Sequence, residues 1–212
     1  MANRYYKFAE QEFYHLFNRG NSKQIIFKSE SDYDRFKKLL YIANSTRSFV
    51  MRELDAENVF DIEREKPLVH IGAYCLMSNH FHILLTPAVP QGVPQFMRKL
   101  ATGYASYFNK KYFRTGGLFE GPYKAKYADS DRYLKYLFSY IHLNPYRSKD
   151  DDVRNYIDEK KLSTYRHSSL PDYLGEDRQI AKILNSDAFP KYFMNIKDQK
   201  RELMEWLDYQ EI

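Results

Sequence analysis

The sequence predicts an α+β domain: a ferredoxin-like or RRM-like split βαβ sheet with helices on one face, a histidine pair on the open face, and a C-terminal extension. Three observations carry that prediction. From Glu12 to Pro145 the apolar periodicity changes in the order strand, helix, strand, strand, helix, strand, then helix. Only Ser78-Asn79 separates the second strand from the third, so those two form a hairpin. The third strand, which follows that turn within the stretch Leu76 to Pro87, alternates two kinds of side chain. His80, His82, Leu84 and Thr86 point one way, and Phe81, Ile83 and Leu85 point the other.

Glu12 to Arg19 reads as the first strand, closed by a Gly20-Asn21 turn. Ser31 or Asp32 can cap a helix whose apolar positions Tyr33, Phe36, Leu39, Leu40 and Ala43 follow the helical period. Residues 44–66 are mixed and charged, without a clear period, and read as a helix end plus a variable connection. Leu68 to Met77 is the second strand. After the proline-containing loop from Pro87 to Pro94, Val93 to Phe108 forms the second helix, with Phe96, Leu100, Tyr104 and Tyr107 on one stripe. Tyr123 to Tyr127 alternates as the fourth strand. Asp129 or Ser130 caps a third helix through Tyr133, Leu134, Leu137, Tyr140 and Ile141, and Asn144-Pro145 ends it, because a residue before proline disfavours the helical basin. Residues 1–150 are read as one domain and 151–212 as a partly helical extension, with a helix expected from Lys197 to Tyr209.

The totals narrow the class. No apolar run approaches 18 residues and the start lacks the apolar stretch of a signal peptide, so the expectation is a soluble cytoplasmic protein with no membrane partner. The one cysteine, Cys75, cannot form an intramolecular disulfide or a cysteine zinc site and reads as a buried, inert thiol. Twenty Tyr and 15 Phe stand against one Trp in a chain of net charge +5. Rings on which bases stack, with cations that follow phosphates, suit a single-stranded nucleic-acid binder, although a Tyr-rich globular protein has the same composition. Position is more telling. Residues 91–127 hold seven basic side chains and one acidic, whereas 149–212 hold 11 basic and 14 acidic. The candidate nucleic-acid contacts are therefore Arg98, Lys99, Lys110, Lys111, Arg114, Lys124 and Lys126.

Side chains at i and i+2 of a strand start about 7 Å apart, so the imidazoles of His80 and His82 can lean towards one ion. A His-x-His alone is a short, common pattern. What raises its weight is Tyr140-Ile141-His142-Leu143-Asn144-Pro145, where Tyr140 and Asn144 share a helix face at i and i+4. A helix beside the open face brings a phenol and an amide oxygen towards the histidines. Two neutral nitrogens, an amide oxygen and open positions suit a divalent ion that also binds a phosphate oxygen, magnesium or manganese. Tyr127, Tyr133 and Tyr136 are rival phenols, but only Tyr140 has an amide partner at i+4. His142 points elsewhere on the helix and reads as packing or a nucleic-acid contact. His15 either reaches the site or packs, and Glu120, the one acid of the basic segment, is a candidate to orient a cation.

Taken together, these motifs resemble the single-tyrosine transposases of the His-hydrophobic-His endonuclease superfamily, closest to the branch associated with repeated extragenic palindromes. The resemblance runs from about Tyr14 to Leu174, through His15 to Asn21 with Ile26-Phe27, Met77 to His82, Gly117 to Gly121 with Tyr123-Lys124, and Tyr133-Leu134 to Arg147. The charged connection at 44–66 departs from it. The resemblance implies that His80, His82 and Asn144 hold the metal and that Tyr140 is the nucleophile. It further implies a DNA transposase that nicks and joins single-stranded or hairpin DNA, in repeated palindromic elements, through a 5′-phosphotyrosine link and without a nucleotide cofactor. Monomer and homodimer both remain open. Three alternatives stand beside it: an RRM-like module that grips single strands without cutting them, a nicking replication initiator or relaxase of the same superfamily, and a metallohydrolase using the histidines with a carboxylate. The last is disfavoured, because no Asp or Glu stands convincingly next to the pair.

Overall fold

A computed structural model describes residues 7–49, 59–146, 162 and 164–208. Four strands, β1 (Tyr14–Arg19), β2 (Val69–Met77), β3 (His80–Pro87) and β4 (Lys124–Tyr127), pair in the order β2-β3-β1-β4. Every neighbour is antiparallel. This is the split βαβ arrangement expected from the order of elements. Helices α1 (Glu30–Ile42) and α2 (Gly92–Lys111) cross over between strands and cover one face. There Leu16, Phe81, Ile83 and Leu85 pack with Phe36, Leu40, Phe96 and Tyr104, all essentially fully buried. At about 25 cal/mol per Å² of apolar surface, this continuous layer is the main source of stability.

The first helix starts earlier than its sequence signals suggest. Ser29 is the N-cap in place of Ser31 or Asp32, because Asp32 sits at N3 and reaches back, its Oδ2 accepting from the amides of Lys28 (2.8 Å) and Ser29 (3.0 Å). Past the helix, Asn44 pins the start of β2: its Oδ1 accepts from the Leu68 and Val69 amides and its Nδ2 donates to the Val69 carbonyl. Residues 50–58 of the charged connection lie outside the described residues. Helix α2 runs from Gly92 to Lys111, longer at both ends than its apolar stripe. Only glycine fits at 92, since a Cβ there would stand 2.0 Å from the Leu68 carbonyl oxygen.

Helix α3 (Asp131–Leu143) is capped by Ser130, whose Oγ accepts from the Tyr133 amide. It gives way at Asn144 to a 3-10 turn, Asn144–Tyr146. Asn144 keeps helical angles (φ −51°, ψ −42°) in spite of the proline that follows. The helix stops because Pro145 has no amide to continue the ladder, not because Asn144 leaves the helical basin.

The second sheet face is shared. Its β2–β3 end receives α3, where Leu84, Ala73 and Cys75 meet Leu137, Phe138 and Ile141. Burial pushes the Cys75 thiol up, which leaves it inert. The boundary expected near residue 150 falls outside the described residues, and part of what is described of the extension packs on the sheet while its last helix packs on α3. The stretch around Ser168 lies along the edge of β2, where the Leu76 amide donates to the His167 carbonyl and the Ser169 amide to that of Tyr74. Phe189 fills the space over Gly72, where a Cβ would come within 2.7 Å of the ring. The predicted last helix is Ile196–Asp208, α5 here, following the short α4 (Leu170–Tyr173). Tyr209 lies outside the described residues. Among the described residues no helix is long and apolar enough to cross a membrane.

Candidate active site

The part of the second face that α3 leaves accessible is built by strand parity. On β3, His80 and His82 face it; on β1, His15, Phe17 and Arg19 do. The register sets Arg19 opposite His80 and Phe17 opposite His82. β4 then places Lys124 beside Phe17 and Lys126 beside His15. Tyr140 and Asn144 come down from α3 at i and i+4, with the Asn144 Nδ2 donating a long 3.5 Å bond to the Tyr140 carbonyl. The result is a cleft of about 330 Å³, walled by His80, His82, Tyr140, Asn144, Arg19, Lys124 and Glu120.

The imidazoles of His80 and His82 stand 5.0 Å apart, nearly perpendicular at 88°. The Tyr140 ring meets His82 edge-on, 5.7 Å away at 90°. Each histidine has its Nδ1 engaged: that of His80 lies 2.7 Å from Asn79 Oδ1, and that of His82 lies 2.8 Å from His15 Nε2. Burial lowers the His80 pKa, a hydrogen bond with Asn144 pushes it back up, and the Arg19 charge lowers it again, for a net decrease. Burial and the Lys126 charge hold His15 at about 4. The His80 and His15 rings are therefore neutral at neutral pH, and neutral imidazole is the form in which His80 could be a ligand. A divalent ion fits this donor set. With both Nδ1 atoms engaged, Nε2 is the nitrogen each ring would offer to an ion, and Asn144 already contacts the His80 ring. No group of three His, Cys, Asp or Glu side chains that could hold a metal exists among the described residues, so a third protein donor beside the two histidines would be an amide oxygen such as that of Asn144. Among the described residues, Glu120 borders the cleft without joining such a group.

Tyr127 pairs with Tyr14 and shares the opposite, helix-covered face. Tyr136 leans on Trp206 (4.9 Å) and stacks loosely on Tyr133, neither of which borders the cleft. His142 is fully buried, its Nε2 2.8 Å from Ser169 Oγ, and burial lowers its pKa to about 3; it joins α3 to the extension.

The predicted cations divide. Lys124 and Lys126 are exposed on the histidine face. Arg98 and Lys110 lie on α2, across the sheet from the histidines. Lys99 donates to the Ser45 and Arg47 carbonyls, Lys111 forms a 2.6 Å ion pair with the buried Asp32, and Arg114 follows α2, over the Phe108 ring. Two residues to which the sequence pattern gave no firm role are part of the site. His15 backs His82. Arg19 borders the cleft with its Nε buried and without a protein hydrogen-bond partner. The alternation His15-x-Phe17-x-Arg19 was the available signal.

The family described as "Transposase IS200 like" matches residues 45–144, a segment that holds both histidines, Tyr140 and Asn144. Over that segment the chain is similar to the IS200-like transposases. A solved structure of the REP-associated tyrosine transposase bound to a REP hairpin superimposes on this chain with a TM-score of 0.52, covering 91% of it and 96% of that chain. At 10% identity, that likeness speaks for the fold. No curated relative matches the chain.

Proposed function

We propose that this protein is an IS200-like transposase that cuts and rejoins single-stranded or hairpin DNA at Tyr140, with His80, His82 and Asn144 holding a divalent ion, magnesium or manganese. The observation that carries the reading is the Tyr140 phenol standing edge-on to His82 in a polar cleft that Asn144 also borders. The Tyr140 oxygen attacks the scissile phosphorus, its proton is lost, and the bond from phosphorus to the 3′ oxygen breaks. That oxygen takes up a proton and leaves as a 3′-hydroxyl, with the 5′-phosphate on Tyr140. Attack by a 3′-hydroxyl on the phosphotyrosine reverses the sequence and joins strands, which is why no nucleotide cofactor is needed. The ion, when bound, polarises the phosphate and offsets charge on its non-bridging oxygens. Arg19 and Lys124 add fixed positive charge on the same cleft, and Lys126 extends it along β4.

Palindromic repeats are the proposed target. The REP-associated transposase of similar fold is described as bound to a REP hairpin. A nicking replication initiator or relaxase would use the same chemistry on other DNA, whereas a pure binding module leaves the convergence of Tyr140, Asn144 and the histidines without a use. One assay separates these readings. Incubation with Mn²⁺ and labelled single-stranded palindromic DNA is expected to give a denaturation-resistant protein–DNA adduct. Tyr133→Phe and Tyr136→Phe should still form it and Tyr140→Phe should not. An adduct that survives in Tyr140→Phe would move the nucleophile elsewhere, and no adduct with any palindrome would favour the binding module.

A further inference from the structure

We propose that His15 and Asn79 are positioning residues that set the tautomers of the two ligand histidines, so that both present a bare Nε2 to the ion. The inference rests on the ligand role of His80 and His82 proposed above and adds the residues that make them competent. The Asn79 amide is held from its other end, since its Nδ2 donates to the Lys23 carbonyl at 3.2 Å. Its Oδ1 is then the atom 2.7 Å from His80 Nδ1. An amide oxygen only accepts, so Asn79 draws the His80 proton to Nδ1 against the Asn144 contact with the same ring, and once an ion takes Nε2 it is the acceptor that the Nδ1 proton needs.

The second histidine uses a different partner. His15 is opposite Leu84 on the paired strands, one diagonal away from His82 on the same face. Its Nε2 reaches His82 Nδ1 at 2.8 Å, and the two rings stack at 5.0 Å and 26°. One proton lies between these nitrogens. When it sits on His82 Nδ1, the lone pair that coordinates is on His82 Nε2 and His15 accepts. When it sits on His15 Nε2, the His82 proton is displaced to Nε2 and the coordinating lone pair is lost. Metal binding therefore requires His15 as the acceptor, with its own proton on Nδ1. His15 is only 4% exposed and does not border the cleft, so its effect on chemistry passes through the His82 ring.

The test pairs two variants with a direct observation. His15→Phe keeps a buried ring and removes the acceptor; His15→Gln places an amide oxygen at similar reach. Titration with Mn²⁺ in the absence of DNA should show about 10- to 100-fold weaker binding for His15→Phe, the range for loss of an outer partner, and recovery of most of it in His15→Gln. Asn79→Ala should weaken binding likewise and Asn79→Asp should not. A purely structural role would lower the melting temperature while leaving the Mn²⁺ affinity alone. Wild-type affinity in His15→Phe overturns the proposal by itself, as does a folded His15→Gln that binds no better than His15→Phe. Failure of the wild type to bind Mn²⁺ overturns the ligand reading, and this one with it. Nitrogen NMR of the metal-free wild type decides the matter even where a variant does not fold. The expected result is His80 protonated on Nδ1 and a coupling across the hydrogen bond between His15 Nε2 and His82 Nδ1. A His80 protonated on Nε2, or no coupling, contradicts the assignment.

Discussion

On β3, Phe81, Ile83 and Leu85 face α1 and α2 and are closed from solvent, whereas His80 and His82, on the alternate positions, face a polar cleft. The two sets share one backbone and one register, yet one meets a continuous apolar layer and the other meets Arg19, Lys124 and Tyr140. A third condition lies on the histidine face itself, where Leu84 is as buried as Ile83 because α3 covers that end. Stability and chemistry are thus separated by parity across the sheet and by position along it. Each imidazole of the pair is held by a specific hydrogen-bond contact, which an apolar residue would not need. A substitution should therefore damage either the fold or the reaction, according to which side it touches.

The largest expected effect is on the reaction alone. Tyr140→Phe removes one oxygen from a residue bordering the cleft and should lower adduct formation by roughly 10³-fold or more, with the melting curve and DNA affinity unchanged. A parallel loss of stability would show that Tyr140 also holds α3 in place. The neighbours Ile83 and His80 give the cleanest contrast across the sheet. Ile83→Ala should cost about 2–5 kcal/mol in denaturant unfolding while the folded fraction still forms adduct. His80→Ala should cost less than about 1 kcal/mol and abolish metal-dependent adduct.

Away from the strands, the helix-covered side has one polar centre. Asp32 is fully buried, and burial pushes its carboxyl up, but the Lys111 ammonium, the Tyr112 hydroxyl, the Lys28 amide and the Tyr107 hydroxyl together hold it below its ordinary value. Its stabilisation is present above the unfolded carboxylate pKa and lost as pH falls through the folded one. Asp32→Ala should cost about 3 kcal/mol at neutral pH, because Lys111 and two phenols lose their shared acceptor. Histidines act at higher pH. His142 and His15 titrate at about 3 and about 4 in the folded protein and near 6.5 when unfolded, so between those limits the unfolded chain binds the extra protons. Stability should fall as pH drops below about 6.5, by at most about 1.4 kcal/mol per pH unit for each. Thermal melts of His142→Gln should show a shallower decline; an unchanged slope would mean that His142 is protonated in the fold.

The smallest expected effect concerns DNA. Replacing Lys124 and Lys126 with alanine should reduce the salt slope of binding by about one for each phosphate no longer neutralised, and by more than replacing Arg98 and Lys110 across the sheet. Equal reductions would show DNA wrapping round the domain. Lys99 and Lys111 are poor probes, since both are tied into the protein.

Strand parity, the Ser78-Asn79 hairpin and the Tyr140–Asn144 pairing are legible in the sequence because each depends on a local period of two or 3.6 residues. They suffice for the order of elements and for the outline of the cleft. Pairings between distant residues are not encoded that way. His15 and His82 are 67 residues apart and meet only through the β1–β3 register, which a one-residue slip would turn inside out. The same pairing brings Arg19 opposite His80, and the crossover of α2 brings Lys111 to Asp32 rather than to solvent. Nor does local pattern indicate that the stretch around Ser168 lies along β2, or that Phe189 needs the space left by Gly72. By itself, the sequence determined which side chains share a face and which residue types can carry the chemistry. Tertiary structure decided which partner turns each imidazole and which cations remain available, because hydrogen bonds and ion pairs depend on distances that only the packed chain sets.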